Sequence, residues 1–367
     1  MMGRPRVRDD VALMEGYHSP QVDVSVRLNT NEAPEPPPRS FVESLQTAIE
    51  GIAWHRYPDR SAAALRARIA EVEGFEPGQV FAANGSNEVL QTLCLTYGGA
   101  GRSVLTFEPT YALHSHIARV CGTQVVEEER LEDFTIDVDA AVAAVRDHRP
   151  AITFLCSPNN PTGRVEGEEV VRAVLDAVES VDGLLVVDEA YGQFAPWSAL
   201  SLVDDSRSVV VTRTYSKTWS AAALRLGYLV GPTWVVDELD KVVLPYHLDA
   251  VTQLAGLLAL DHLDDMQRRV ARLVEERGRV AEALARLPLE QWPSGANFIL
   301  FRPTERAGDE VWAQLVERSV LVRNCSSWPR LDGCLRVTLG SPEEDDVFLA
   351  ELGEVLGASG LWEPGSR

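Results

Sequence analysis

The chain has no apolar run long enough to cross a membrane. Its longest, such as Leu254–Leu260 interrupted by Gly256, falls far short of the roughly 20 residues a spanning helix needs. Met1 to Gly16 is charged and lacks the apolar stretch of a signal peptide. The five cysteines (Cys94, Cys121, Cys156, Cys325 and Cys334) contain no Cys-x-x-Cys pair. An odd, scattered set suits buried thiols in a reducing compartment better than a disulfide framework. These absences predict a cytoplasmic protein. Positive charge is also scarce, with 34 Lys+Arg against 55 Asp+Glu and a formal net charge of −21. Such a surface repels nucleic acid and anionic membranes, so neither is an expected partner. Any anion the protein binds must meet a local basic pocket, because the overall field opposes it.

What is present is an ordinary globular composition, 45% hydrophobic and 24% charged, over 367 residues. That length predicts two packed domains. Residues 1–40 lack a regular period, carry the stretch Pro34–Pro38 and read as an N-terminal arm. Residues 41–248 alternate strand and helix. Strands are expected at Val80–Ala83, Val104–Phe107, Ile152–Leu155, Leu184–Val187 and Val209–Thr212, and helices at Ser61–Val72 and near 111–120, 139–147 and 167–179. The strands are apolar throughout rather than at every second position, which predicts a parallel sheet covered on both faces. Residues 249–357 open with a charged amphipathic helix near 262–287 and continue with strands at Asn297–Phe301, Val320–Arg323 and Leu335–Leu339 and a helix near 343–356. The expected fold class is therefore α/β: a large domain with a mostly parallel central sheet, a smaller α+β domain, and a tail at 358–367.

Ligands of α/β sheets sit beyond the carboxyl ends of the strands. After Ile152–Leu155 comes Ser157-Pro158-Asn159-Asn160-Pro161-Thr162-Gly163; after Leu184–Val187, Asp188-Glu189-Ala190-Tyr191; after Val209–Thr212, Ser216-Lys217 and then Arg225; after Val80–Ala83, Gly85-Ser86-Asn87. Each residue type answers a demand of pyridoxal phosphate. Its phosphate dianion suits the helix beginning near Ser86, with Ser86 as expected N-cap and Asn87 beside it. Ser216 and Arg225 add a hydroxyl and a guanidinium. Asp188 can stabilise a proton on the pyridine nitrogen, which keeps the ring an electron sink. Asn160 and Tyr191 can donate to the ring oxygen, Tyr111 can stack on the ring, and Lys217 supplies the amine for the aldehyde. Taken singly, each motif has a plainer explanation: a surface Ser-Lys, a capping loop, a pair of turns, a core tyrosine. Their joint occurrence in order, each at a strand end, is what points to the cofactor.

This order resembles the fold-type-I pyridoxal-phosphate aminotransferases, and within them the histidinol-phosphate aminotransferases, from Gly16 to about Leu352. The resemblance rests on Val26-Arg27-Leu28-Asn29-Thr30-Asn31-Glu32, Arg56-Tyr57-Pro58-Asp59, Asn84-Gly85-Ser86-Asn87-Glu88, Ser157–Gly163, Val187–Tyr191, Ser216-Lys217 and Pro245-Tyr246-His247-Leu248. It implies that Tyr57 reaches the cofactor phosphate of a second subunit, hence a homodimer. It further implies that Arg336 and Arg323, with Tyr17 as an added donor, grip the substrate phosphate. The sequence departs from the family pattern at Ala33-Pro34, at Ala223 before Leu224-Arg225, and over 324–333, a segment with Cys325 and Trp328 that the resemblance places close to the substrate.

The activity so implied is reversible transamination between L-histidinol phosphate and 2-oxoglutarate, giving imidazole-acetol phosphate and L-glutamate, in histidine biosynthesis. Histidinol phosphate has no carboxylate, so its phosphate must be the anchor, and one arginine-lined pocket can serve that phosphate and the carboxylates of glutamate. Lys217 must be neutral to act as the base, so its pKa is expected to be depressed by Arg225 and the cofactor environment. Three alternatives have distinct signatures. An aromatic amino-acid aminotransferase would not depend on Arg323. A threonine-phosphate decarboxylase would release CO₂ without 2-oxoglutarate. A cofactor-binding transcriptional regulator would need a DNA-binding domain and a basic face. No metal site is expected: His114 and His116, two apart in an expected helix, point to different faces. The acidic runs Glu127–Glu129 and Glu343–Asp346 read as solvated surface or helix N-terminal charge.

Overall fold

The computed structural model describes residues 5–12, 14 and 22–358. Its strands are β1 (Val26–Leu28), β2 (Val80–Ala83), β3 (Ser103–Glu108), β4 (Gln124–Glu129), β5 (Ile152–Cys156), β6 (Leu184–Asp188), β7 (Val209–Thr214), β8 (Gly227–Val230), β9 (Leu289–Gln291), β10 (Phe298–Pro303), β11 (Val320–Asn324) and β12 (Leu335–Thr338). They form two sheets. The larger has the order β2-β8-β7-β6-β5-β3-β4 and the smaller β1-β11-β12-β10-β9.

In the larger sheet β3 to β7 run parallel. Strands β5, β6 and β7 are buried along their whole length, as their unbroken apolar sequence requires once helices cover both faces. β8 departs from the parallel expectation and runs antiparallel to both β7 and β2. The cause is the connection. Segment 215–226 holds only a short 3₁₀ turn at Ala222–Leu224, with no helix to carry the chain back over the sheet, so it reverses locally. That reversing segment is the one that carries Ser216, Lys217 and Arg225.

Three further elements refine the sequence reading. Glu127–Glu129, expected as solvated surface or helix N-terminal charge, is the largely exposed end of edge strand β4, whose charges discourage pairing with another chain. The helix Ala250–Ala259 packs its Ala255 and Ala259 into the core beneath the larger sheet, and Met266 still belongs to that core. The smaller core therefore begins within the long helix Leu263–Leu284, at Val280. Finally, within the stretch read as an arm, β1 pairs in parallel with β11, Val26 opposite Val320. Residues 29–32 thereby bridge the two sheets, and this bridge forms one wall of the site.

Candidate active site

The carboxyl ends of β2, β5, β6 and β7 and the first turn of the helix Gly85–Tyr97 open onto one cavity of about 230 Å³. Ser86, Asn87, Tyr111, Asn160, Asp188, Tyr191, Ser216, Lys217, Arg225, Arg323 and Arg336, all proposed from sequence, line it together with Asn29, Thr30, Asn31 and Trp328. Tyr57 does not: it is 79% exposed and stacks on Tyr246 with ring centres 4.5 Å apart. Tyr17 lies outside the described residues.

Lys217 and Lys241 are the only lysines in the chain. Lys241 is a surface residue paired with Glu238. Lys217 is half-buried, and its Nζ donates to the carbonyl of Thr30 at 3.0 Å and lies 5.9 Å from the centre of the Tyr191 ring. Burial lowers its pKa from 10.5 to about 7, assisted by the neighbouring cations Arg336 and then Arg225, against the pull of Glu32. The depression was expected; its leading cause is burial rather than Arg225. The nearby Tyr191 hydroxyl moves the other way. Burial pushes it up to about 12, and it accepts from Asn31 Nδ2 at 2.8 Å, so it remains a protonated donor.

Asp188 ends β6 with its side chain toward the cavity, while Glu189, one residue on, faces the opposite side, where it pairs with Arg213 at 2.9 Å. The Asp188 carboxylate is 1% exposed and fully engaged. Its Oδ1 accepts from the Ala190 amide at 3.1 Å and the Thr212 hydroxyl at 3.3 Å. Its Oδ2 lies 2.9 Å from His114 Nε2. The carboxylate fixes the ring hydrogen on Nε2. The imidazole is clamped flat against Phe154, 4.8 Å between centres, and edge-on to Tyr111, and His114 Nδ1 has no hydrogen-bond partner. Sequence reasoning missed His114: it was weighed only as half of a metal pair, and nothing local signals that its helix, Leu113–Val120, turns it toward Asp188. Asn31 was likewise quoted only as part of a signature; its contact with Tyr191 depends on the bridge between the sheets.

The anion cradle lies at the start of Gly85–Tyr97. The helix begins two residues earlier than expected, with Asn84 rather than Ser86 at its N-cap and with the Glu88 carboxylate accepting from the Asn84 amide at 2.6 Å. Ser86 is thus inside the first turn. Gly85 has φ +77°, and a Cβ there would lie 2.9 Å from Arg225 Nη2. A Cβ at Gly227 would lie 2.2 Å from the Ser86 nitrogen. Glycine at both positions lets the guanidinium and β8 close on the helix terminus. Arg225 Nη1 also donates to the Ser216 hydroxyl at 3.4 Å. A helix N-terminus, a hydroxyl and a guanidinium thus converge where a dianion can be held.

Across the cavity, Arg323 on β11 and Arg336 on β12 are directly opposite each other in an antiparallel ladder. Arg336 donates to Asn160 Oδ1 and, at 3.0 Å, to the carbonyl of Asn29, with its guanidinium 5.0 Å from the centre of the Phe298 ring. On the other side of Lys217 a groove of about 660 Å³ runs between the domains. Its charges are paired with one another, Arg279 with Glu276 and Asp346, and Arg272 with Glu35.

A mostly parallel sheet that aims a buried aspartate, a lysine of lowered basicity and an anion cradle into one cavity fits a pyridoxal-phosphate-dependent enzyme, and the chain belongs to the aminotransferase class I and II family, whose profile matches residues 23–352. Within that family the chain belongs to the histidinol-phosphate aminotransferases. It is 44% identical over 375 residues to the histidinol-phosphate aminotransferase of Frankia casuarinae, covering 97% of this chain and 92% of that one. It is 42% identical over 371 residues to that of Mycobacterium sp. (strain JLS), covering 96% and 97%. The solved histidinol-phosphate aminotransferase of Sinorhizobium meliloti, in complex with pyridoxal-5'-phosphate, shares the fold with a TM-score of 0.87 at 23% identity, covering 97% of this chain and 99% of that one. L-Threonine-O-3-phosphate decarboxylase of Porphyromonas gingivalis also shares it, with a TM-score of 0.78 at 20% identity, covering 90% and 99%. The fold alone therefore does not separate transamination from decarboxylation; the full-length sequence identity does.

Proposed function

We propose that the chain transfers the amino group reversibly between L-histidinol phosphate and 2-oxoglutarate, giving imidazole-acetol phosphate and L-glutamate. The observation that carries this reading is the Arg323–Arg336 pair. Like charges directly opposite on a sheet are destabilising, and these two are buried in a chain of strongly acidic net charge. The pair supplies the basic pocket that an anionic substrate of this protein needs, and a phosphate or carboxylate held there would gain charge-assisted hydrogen bonds.

In the proposed assignment the Gly85–Ser86 helix terminus, Ser216 and Arg225 would hold the cofactor phosphate. Asp188 would hold the proton on the ring nitrogen, Asn160 and Tyr191 would donate to the ring oxygen, and Tyr111, tied through its hydroxyl to Asn87 at 3.1 Å, would stack on the ring. When bound, the cofactor supplies an electron sink for the pair left at substrate Cα. Lys217 Nζ, whose lowered pKa of about 7 makes the neutral amine available near neutral pH, is aimed by the Thr30 carbonyl and takes the proton from Cα. Arg323 and Arg336 hold the substrate's phosphate, or a carboxylate of glutamate, at the far end of the cavity. Charged hydrogen bonds contribute about 1.5–3 kcal/mol each. Two arginines should then favour histidinol phosphate over histidinol by roughly 10²–10⁴-fold in kcat/KM. Half-reaction rates with L-histidinol phosphate, L-histidinol and L-phenylalanine test this. R323M/R336M is expected to lose most of the preference for the ester. A wild-type enzyme that converts phenylalanine as fast as the ester belongs instead to an aromatic branch.

We further infer that the working form is a homodimer. Tyr57 and Tyr246 form an exposed aromatic stack, with Trp54 68% and Leu244 75% exposed as well. A hydrophobic group of this kind marks an interaction surface. Tyr57 cannot serve its own cavity, which it does not line, and so is assigned to that of a second copy. Light scattering alongside activity is expected to show a dimer that loses activity on dilution to monomer; a fully active monomer would sink this inference.

A further inference from the structure

Lys217 borders two spaces at once, the cavity on one side and the groove of about 660 Å³ on the other. An amine so placed can be aimed into either, and only the cavity holds the anion cradle. We infer that Arg269 is a positioning residue for the reaction: from the long helix that joins the two domains it grips Ser220, and so fixes the turn that directs Lys217 into the cavity. This rests on the proposed reading of Lys217 as the reacting amine.

The turn that carries Lys217 is tethered at both ends by arginines. At one end the Ser216 hydroxyl accepts from Arg225. At the other the Ser220 hydroxyl accepts from Arg269 Nη1. Between them the Thr218 hydroxyl donates to Gln193 Oε1 at 3.3 Å. Ser220 has φ +51°, a left-handed conformation that a residue with a Cβ rarely adopts and that persists only where its surroundings hold it. Arg269 is itself held in turn. Its side chain is buried, and Asp265, one helical turn back, lies 2.9 Å from its Nε, which fixes the guanidinium and presents Nη1 to the serine.

The place of Arg269 in the chain gives this contact its reach. Met266, just before it, packs in the large-domain core, and Val280, further along, packs in the small-domain core. One continuous helix, Leu263–Leu284, carries all three. The grip on Ser220 therefore ties the lysine turn to the element that spans both domains.

What the grip secures is the setting of Nζ. On the cavity side, burial and the cations Arg336 and Arg225 outweigh Glu32 and favour the neutral amine. The groove side does the reverse. Five carboxylates, Glu35 and Glu276 among them, outnumber its three arginines, and a lysine turned toward them keeps its proton.

The test is a direct titration of Lys217 in the cofactor-free full-length chain. Lysine labelled with carbon-13 at Cε gives two side-chain resonances, because Lys217 and Lys241 are the only lysines, and K217A identifies each. R269M and S220A are each expected to raise the Lys217 midpoint from about 7 by about 1 pH unit, which cuts the neutral fraction at pH 7 about fivefold. Uptake of pyridoxal phosphate at pH 7 should slow by the same factor and recover as the pH is raised. The double variant should move the midpoint no further than either single change, since both remove one contact. R272M, on the same helix and in the same groove, is expected to leave it in place. A merely structural role predicts a lower thermal midpoint with Lys217 still titrating near 7, and that outcome overturns the inference, as do additive shifts in the double variant. S220A, which deletes a single oxygen, carries the test if R269M fails to fold. A wild-type Lys217 that titrates near 10.5 sinks the reading of the amine first and the inference with it.

Discussion

Replacing Lys217 by alanine is expected to lower the transamination rate by about 10⁴-fold, while the folded chain keeps its far-UV spectrum and thermal midpoint. Positioned acid–base groups contribute up to about that factor, and Lys217 is also the only lysine at the cavity, since the other, Lys241, is paired on the surface. Its lowered pKa makes a second readout of the same residue. Only the neutral amine attacks an aldehyde. Below its pKa Nζ is protonated, so the rate at which cofactor-free protein takes up pyridoxal phosphate should rise with pH and level off above about 7. An ordinary lysine would still be gaining toward 10.5. Because Arg336 is the leading cation that depresses Lys217, R336M should move the levelling-off to higher pH. Stopped-flow uptake between pH 5.5 and 9 measures this. A K217A enzyme with substantial turnover, or an uptake profile indifferent to pH around 7, would remove Lys217 from its assigned place.

The second large effect is expected at Asp188. D188N keeps size and shape but removes the charge that balances a protonated ring nitrogen in a site shielded from water. Loss of one such preorganised electrostatic partner costs roughly 10²–10³-fold in kcat. Cofactor retention, read from the visible absorbance, should survive, because the proposed phosphate cradle on Gly85, Ser86, Ser216 and Arg225 lies elsewhere in the cavity. H114F should shift kcat in the same direction by less, since it removes one of three donors to the carboxylate and leaves the Ala190 amide and the Thr212 hydroxyl in place. Wild-type kcat in D188N would refute the ring-nitrogen assignment, whatever H114F does.

Much of this architecture was legible in the chain because its signals are local. Continuous apolar runs announced β5, β6 and β7. The residues just past each run then fell into one cavity, since parallel strands present their carboxyl ends on a common edge. What was not legible came from distant partners. The direction of β8 followed from a reversing segment too short to carry a helix, and β1 took its place only because β11 offered an edge. The first turn of Gly85–Tyr97 was misplaced by two residues because a glycine at φ +77° and the Glu88 carboxylate, not the Ser86 hydroxyl, begin the helix.

By itself, then, the sequence determined which chemical groups stand at the strand ends: one lysine, one aspartate, an amide, a tyrosine and a helix terminus, in an order that a parallel sheet converts into proximity. Tertiary structure alone decided their states and partners. Burial beneath Arg336 lowers Lys217. Strand alternation sends Asp188 into the cavity and Glu189 away from it, and a helix 74 residues earlier in the chain brings His114 against Asp188. Ladder register sets Arg323 opposite Arg336, and the helix that joins the two domains brings Arg269 against Ser220. Charge states and registers depend on the field and packing of groups far apart in the chain, and no local pattern encodes them.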